Sequence, residues 1–224
     1  MGIELDHTQL IVFDLDGTLV DAFDDITSAV NFALSEMGLP PRTTRDVRKY
    51  VGNGARRLME RVLNDIGEKV TDAGLDRSVA LWRDYSLEHP VDKARLYPGA
   101  EAALDRLRTL SIKTALLSNK IHEVTLGVLK TLGIEDRFDL VLGEGGRFPR
   151  KPAPDALLHI MQQLGAEPRR TWMVGDGEAD VLAGRVAGCK VCGVTSGLLN
   201  ADELVRLGAD KVIDSLNDLV KKGD

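Results

Sequence analysis

The sequence predicts an α/β protein, a parallel sheet covered by helices with a block of further helices inserted after the first strand. Three observations predict it. Short apolar, β-branched runs alternate with longer amphipathic stretches, the signature of strand-helix-strand units in a parallel sheet. One interval, residues 21–92, breaks the alternation and carries helical periods with no convincing strand. The length of 224 residues fits a single large domain, or a core domain with a smaller insert.

Leu10-Ile11-Val12-Phe13 is the first expected strand. The spacing then predicts helices over Asp21 to Met37, Thr44 to Tyr50, Ala55 to Ile66 and Thr71 to Glu88, punctuated by Gly38-Leu39-Pro40-Pro41 and Gly52-Asn53-Gly54. The chain rejoins the core near Leu96-Tyr97-Pro98-Gly99. Strands are expected at Ile112 to Leu117, Leu140 to Leu142, Trp172 to Val174, Val191 to Val194 and, more weakly, Lys211 to Ile213. Helices are expected between them at Gly99 to Leu110, His122 to Leu132, Pro154 to Leu164, Asp180 to Ala187 and Asp202 to Leu207. The division is therefore a Rossmann-like parallel-sheet core, 1–20 plus 93–224, with an inserted helical domain, 21–92.

Composition narrows the function. A formal net charge of −6 argues against general nucleic-acid binding, which needs a basic face to neutralise phosphates. No apolar run approaches the roughly 20 residues that span a bilayer, so no membrane partner is expected. The segment Met1 to Gln9 is polar and acidic, unlike a secretory signal, and the expected location is cytoplasmic. Cys189 and Cys192 are spaced as C-x-x-C, but zinc would need further ligands, and no second cysteine pair or close histidine pair exists. They fall at the start of an apolar strand, where residues three apart point to opposite faces, and read as small buried side chains.

In open parallel sheets, ligands bind beyond the carboxyl ends of the strands. After the first apolar run come Asp14, Asp16, Gly17 and Thr18; after the second come Ser118, Asn119 and Lys120. The run ending at Val174 is followed by Gly175, Asp176 and Gly177, with Asp180 one turn on. Lys151 lies in the loop after the Leu140 to Leu142 run. Each residue alone reads as a turn former, a helix cap or a surface lysine; their joint arrival at one rim does not. If strand conformation continues, Asp14 and Asp16 point to the same side. Two carboxylates so close repel unless a cation bridges them or one is protonated. Mg²⁺ suits few carboxylates, some waters and substrate phosphate oxygens, and Asp176 and Asp180 offer further ligands. An aspartate beside a cation can attack phosphorus, and a second carboxyl group can protonate the leaving oxygen and then activate water. Lys151 and the Ser118 hydroxyl can position the phosphoryl oxygens. A calcium loop counted from Asp14 fails, because Leu19 stands where glycine is needed and Asp25 where glutamate is needed. A Walker A loop is absent, and Gly52-x-Gly54 lacks both the third glycine and the preceding strand of a dinucleotide site.

At these residues the sequence resembles the phosphatases of the haloacid dehalogenase (HAD) superfamily. Phe13-Asp14-Leu15-Asp16-Gly17-Thr18-Leu19-Val20-Asp21 is similar to the first motif, and Leu117-Ser118-Asn119-Lys120 to the second. Arg150-Lys151-Pro152-Ala153-Pro154 is similar to the third, and Val174-Gly175-Asp176-Gly177-Glu178-Ala179-Asp180 to the fourth. The resemblance implies Asp14 as nucleophile and Asp16 as general acid/base. It implies Mg²⁺ held by Asp14, the backbone carbonyl of Asp16, and Asp176, with Asp180 in support. Ser118, Asn119 and Lys151 would form the phosphate-binding set, acting on a small phosphorylated substrate. The helical insert would be a cap that excludes water and chooses the substrate. Asp16 separates the chain from the superfamily's dehalogenases. Gly177 departs from the serine usual after the metal-binding aspartate.

Within the phosphatases the likeness runs to the bacterial phosphoglycolate phosphatases, through Tyr50-Val51-Gly52-Asn53-Gly54-Ala55-Arg56, Leu96-Tyr97-Pro98-Gly99 and Thr195-Ser196-Gly197. Ala55 stands roughly where the phosphonoacetaldehyde-hydrolysing relatives need a lysine. Between Arg42 and Arg61 the insert carries seven basic residues against Asp46 and Glu60, a surface suited to a carboxylate-bearing phosphate ester. Arg56, beside the Gly52-Asn53-Gly54 turn, is the expected substrate contact. The rival readings are a phosphatase of sugar phosphates, nucleotides or pyrophosphate, a phosphosugar mutase, and a non-catalytic binding protein on the same core. A monomer or homodimer is expected.

Overall fold

Leu10–Phe13 forms the central strand, β1, and all four side chains are fully buried. A strand apolar at every position is stable only where both faces of the sheet are covered, and here they are. The computed structural model describes residues 3–219, so the extreme ends of the expected core range lie outside the described residues. In chain order the elements are β1, β2 (Val20–Asp21), α1 (Phe23–Glu36), α2 (Thr44–Arg48), α3 (Gly54–Ile66), α4 (Asp72–Glu88) and β3 (Arg95–Leu96). There follow α5 (Ala100–Thr109), β4 (Lys113–Ile121), α6 (His122–Thr131), β5 (Leu140–Glu144), α7 (Asp155–Leu164), β6 (Thr171–Gly175) and α8 (Glu178–Ala187). The chain ends with β7 (Lys190–Val194), α9 (Ala201–Leu207), β8 (Lys211–Ile213) and α10 (Leu216–Leu219).

Six strands make one parallel sheet in the order β5-β4-β1-β6-β7-β8. The chain leaves β1 for β4 on one side and later returns to β6 on the other. The carboxyl end of β1 is thus the point where strand order reverses, the place where such sheets bind ligands. Strand alternation sorts the core. Ile11, Phe13, Leu116, Trp172, Val174 and Cys192 join an apolar cluster that runs on through α5 into α1, α3 and α4. Leu10, Val12, Ala115, Leu117, Met173 and Cys189 face the other way, against Leu157, Ile160 and Met161 of α7.

The six expected core strands are all present. The sequence reading missed β2 and β3, a two-residue antiparallel pair at the base of the insert, Val20 opposite Leu96 and Asp21 opposite Arg95. Two residues carry no alternation to detect. That pairing also delays α1 until Phe23. Strand β4 continues through Ser118, Asn119 and Lys120 to Ile121, so these residues lie in an irregular strand end and not beyond it. The outgoing and returning chains are tied a second time: the Asp25 carboxylate in α1 accepts hydrogen bonds from the backbone N–H groups of Asp92, Lys93 and Ala94 at 2.8–3.1 Å. No helix among the described residues is long and apolar enough to cross a membrane.

Cys189 and Cys192 are free, buried and on opposite faces of the sheet, as the strand period requires. Burial pushes both thiols up to about 12. Native protein at pH 8 is therefore expected to react with no thiol reagent, and denatured protein to release two thiols per chain. Rapid labelling of the native protein, or one bound zinc per chain, would overturn the packing role.

Candidate active site

At the end of β1 the backbone N–H of Asp14 still donates to the Val174 carbonyl of β6, at 2.9 Å. The chain then reverses at Gly17, whose φ of +91° suits glycine and whose N–H donates to Val20. A Cβ at Gly17 would lie 2.3 Å from an Asp176 carboxylate oxygen, so glycine is also needed for the close approach of the two loops. This approach brings three acids together. Oxygens of Asp14, Asp176 and Asp180 all lie within 4.8 Å of one another, and all three side chains are largely or wholly buried.

Lys151 is set among them. Its Nζ donates to Asp14 Oδ1 at 2.7 Å, Asp180 Oδ1 at 2.7 Å and the Leu117 carbonyl at 2.6 Å, and its side chain is 2 % exposed. Burial works against the ammonium, but Asp14 and Asp180 outweigh it and raise the Lys151 pKa. Among the described residues Asp176 has no such cation beside it. Its Oδ1 accepts from Thr18 Oγ1 at 3.0 Å and its Oδ2 from the Leu198 N–H at 2.7 Å. Burial first, then the charges of Asp14 and Asp180, push Asp176 well above the carboxylate range. Burial likewise lifts Asp180 to about 6 against the pull of Lys151. Three clustered carboxylates with one ammonium leave an excess of negative charge, and hard oxygen donors at this spacing fit a divalent cation.

Asp16 points to a different partner, Lys120, whose Nζ lies 3.0 and 3.1 Å from its two oxygens. Burial raises the Asp16 pKa and Lys120 opposes the rise. Ser118 and Asn119 are both buried. Ser118 Oγ accepts from the Lys120 N–H at 3.2 Å. Asn119 Nδ2 donates to the Lys151 carbonyl and to Gly52 of the insert, while its Oδ1 accepts from the Lys151 N–H. Asn119 therefore holds the lysine loop and the insert together.

Asp14, Asp16, Ser118, Asn119, Lys151, Asp176 and Asp180 all line one cavity of about 740 Å³ between the sheet and the insert. Arg56 does not line it. It sits on the outer side of α3, paired with Asp76 and Asp72. The helical period explains the correction: Ala55 and Leu58 turn inward to the cavity, and the intervening arginines turn out. Four other basic residues of the insert, Arg45, Arg48, Lys49 and Arg61, line the cavity. Sequence reasoning also left Lys120, Thr18 and the Ser196–Leu198 turn without roles. Lys120 was visible beside Asn119 after the second apolar run, but its pairing with Asp16 was not. Gly177 has an ordinary extended backbone and room for a Cβ, and nothing in the structure explains glycine there.

Such a site, at the switch point of a parallel sheet with four strand-end loops supplying acids and lysines, is what an α/β enzyme acting on a small ligand presents at the carboxyl ends of its strands. The family model for haloacid dehalogenase-like hydrolases matches residues 8–188, and the chain belongs to that family, as a phosphatase-type enzyme. It is 35% identical to a phosphoglycolate phosphatase of Chromobacterium violaceum over 99% of this chain and 100% of the relative. It is 34% identical to one of Aquifex aeolicus over 96% of this chain and 97% of the relative. A crystal structure described as a predicted phosphoglycolate phosphatase from Haemophilus somnus superposes with a TM-score of 0.88 at 27% identity, covering 97% of this chain and 98% of that one.

The buried acids oppose folding when ionised. A carboxylate raised in the fold weakens the native state as pH climbs above the unfolded value near 3.9, so at pH 7.5 Asp176 weighs against stability. Asp176→Asn should leave the thermal midpoint in EDTA unchanged or higher. Saturating Mg²⁺, at a hundred times its Kd, should stabilise the wild type by about 2.7 kcal/mol and the variant by almost nothing. Melting curves with and without Mg²⁺ check this, and an undiminished Mg²⁺ increment in the variant would remove Asp176 from the cation site.

Proposed function

We propose that the chain is a Mg²⁺-dependent phosphomonoester hydrolase that works through an aspartyl-phosphate and acts on 2-phosphoglycolate. The observation that carries the reaction type is the convergence of Asp14, Asp16, Ser118, Lys151, Asp176 and Asp180 on one cavity. In this reading Asp14, Asp176 and the backbone carbonyl of Asp16 hold Mg²⁺, with Asp180 in support; when bound, the ion neutralises the acid cluster and the phosphoryl oxygens. Residues 21–92 act as the cap.

A carboxylate oxygen of Asp14 attacks phosphorus, and the bond from phosphorus to the alcohol oxygen breaks. Asp16 gives its proton to that leaving oxygen. The raised pKa of Asp16 suits it to arrive protonated, and Lys120 suits it to become the anion afterwards. Asp16 then takes a proton from water, the water oxygen attacks phosphorus, and the Asp14–phosphorus bond breaks to release inorganic phosphate. Lys151 and Ser118 hold the phosphoryl oxygens through both halves, with Asn119 fixing the lysine loop. Lys151 already touches Asp14 Oδ1 and so stands where charge gathers on the transferring group.

Two features support phosphoglycolate. The relatives named above bear that activity in their names. The cap supplies guanidinium groups suited to a second, carboxylate end. Of the seven basic residues between Arg42 and Arg61, Arg42, Lys49, Arg56 and Arg57 are engaged by acids of the insert, and Arg48 by backbone carbonyls. Arg45 makes no hydrogen bond or ion pair among the described residues, and Arg61 makes only a 3.5 Å contact to the Tyr50 carbonyl. These two cavity-lining residues replace Arg56 as the proposed carboxylate readers.

Asp14→Asn should abolish turnover while Mg²⁺ still stabilises the fold to a measurable degree; full activity with Mg²⁺ supplied would remove Asp14 as nucleophile. In a panel scored by released phosphate, phosphoglycolate should exceed p-nitrophenyl phosphate in kcat/KM. Equal values would leave the phosphatase standing and sink the substrate assignment. Arg45→Met and Arg61→Met should each lower kcat/KM for phosphoglycolate by about 10- to 100-fold, the worth of one charge-assisted hydrogen bond, and barely alter p-nitrophenyl phosphate.

A further inference from the structure

We infer that Arg48 is a positioning residue that holds the Ser196–Leu198 turn against Asp176 and thereby couples the seating of the cap to cation binding in the core. The inference rests on the proposed Mg²⁺ site and on no particular substrate. Its basis is a chain of contacts. Arg48 lies at the end of α2 in the cap, with its guanidinium 4.2 Å from the centre of the Phe23 ring. It has no carboxylate partner among the described residues; Nη2 donates instead to the Gly197 carbonyl and, at 3.5 Å, to the Ser196 carbonyl. A guanidinium spent on two backbone carbonyls fixes the course of a loop.

That loop reaches Asp176 directly. The Leu198 N–H donates to Asp176 Oδ2 at 2.7 Å, and a Cβ on Gly197 would stand 1.9 Å from the same oxygen. The Asp176 carboxylate is thus clamped between Gly17 on one side and Gly197 on the other. Two further bonds anchor the turn to the core: Tyr97 Oη donates to the Ser196 carbonyl at 3.1 Å, and Ser196 Oγ donates to the Gly17 carbonyl at 2.9 Å. Tyr97 follows β3, where the cap chain returns to the core. Groups from the cap, the hinge and the nucleophile loop therefore meet on the turn that orients Asp176. Hydrogen-bond partners that orient a metal-binding carboxylate typically govern affinity by 10- to 100-fold.

The direction of the effect separates this role from simple charge. Removing a nearby cation should by Coulomb's law tighten Mg²⁺ binding, whereas loss of the clamp should weaken it. Calorimetric titration of the metal-free full chain with MgCl₂ reads this without turnover. Arg48→Met should raise the Mg²⁺ Kd about tenfold. Arg48→Lys should recover part of the loss. Gly197→Ala, which sets a Cβ against the Asp176 carboxylate from the turn that Arg48 holds, should also raise it, and the double variant should add less than the sum of the two. Arg57→Met, on the cap surface, should change nothing. If Arg48→Met does not fold, Arg48→Lys carries the test, read as a Kd raised above the wild-type value. No saturable Mg²⁺ binding by the wild type would sink the cofactor reading itself. Normal wild-type binding with an unchanged or tightened Kd in the Arg48 variants would overturn the coupling alone.

Discussion

The interaction on which the site depends is the burial of the Lys151 ammonium between Asp14 and Asp180. At 2.7 Å, and with an effective dielectric near 20, each contact is worth about 6 kcal/mol of attraction. Desolvating each ion opposes this by several kcal/mol, so the arrangement adds little net stability. What it does is permit carboxylates to gather where their side chains are almost wholly buried. Without the ammonium the acids would repel one another and the strand ends would spread. With it, one acid stays unmatched: burial and the charges of Asp14 and Asp180 push the Asp176 pKa up. The close turns at Gly17 and Gly197, the anchoring of Lys151 by Asn119, and the wholly apolar β1 beneath are what hold that imbalance in place.

Much of this was legible in the sequence, and the reason is physical. The core strands could be read because each buries both faces and so becomes a continuous apolar run, as Leu10–Phe13 does. The acids could be read because the sheet's switch point gathers whatever follows those runs. The short β2–β3 pair was not legible, since two residues have no period. The pairing of Lys120 with Asp16 was not legible either, because it joins residues 104 apart through a strand end that continues where a loop was expected. The role of Arg56 went astray for another reason. Charge density on a segment shows that a basic face exists, but only the rotation of α3 says which arginine turns toward the cavity. The acids of the insert itself, Asp65, Asp72, Asp76 and Glu60, then decide which guanidinium groups are left over.

The cavity wall is divided between two kinds of surface. The sheet side is built from buried carboxylates and lysines held by hydrogen bonds to one another and to backbone groups. The helical side presents apolar residues such as Ile26, Leu58 and Trp82 together with longer, more exposed cations. A rigid half suits a reaction that is the same for every phosphate ester. An adaptable half suits the choice among esters, where one added or missing group must be felt. Trp82 sits at the meeting of the two, with Lys120 Nζ 5.8 Å from the centre of its ring.

The paired strands β2 and β3 put the two ends of the insert side by side, and Asp25 fastens them again a few residues on. Antiparallel neighbours stand only about 5 Å apart, so the core sees this long excursion of the chain as if it were a tight hairpin. A change in the length of the helical block therefore need not move the two points at which the chain leaves and rejoins the sheet below. The sheet that carries the acids and the helical block that covers them are thereby joined at a single narrow seam.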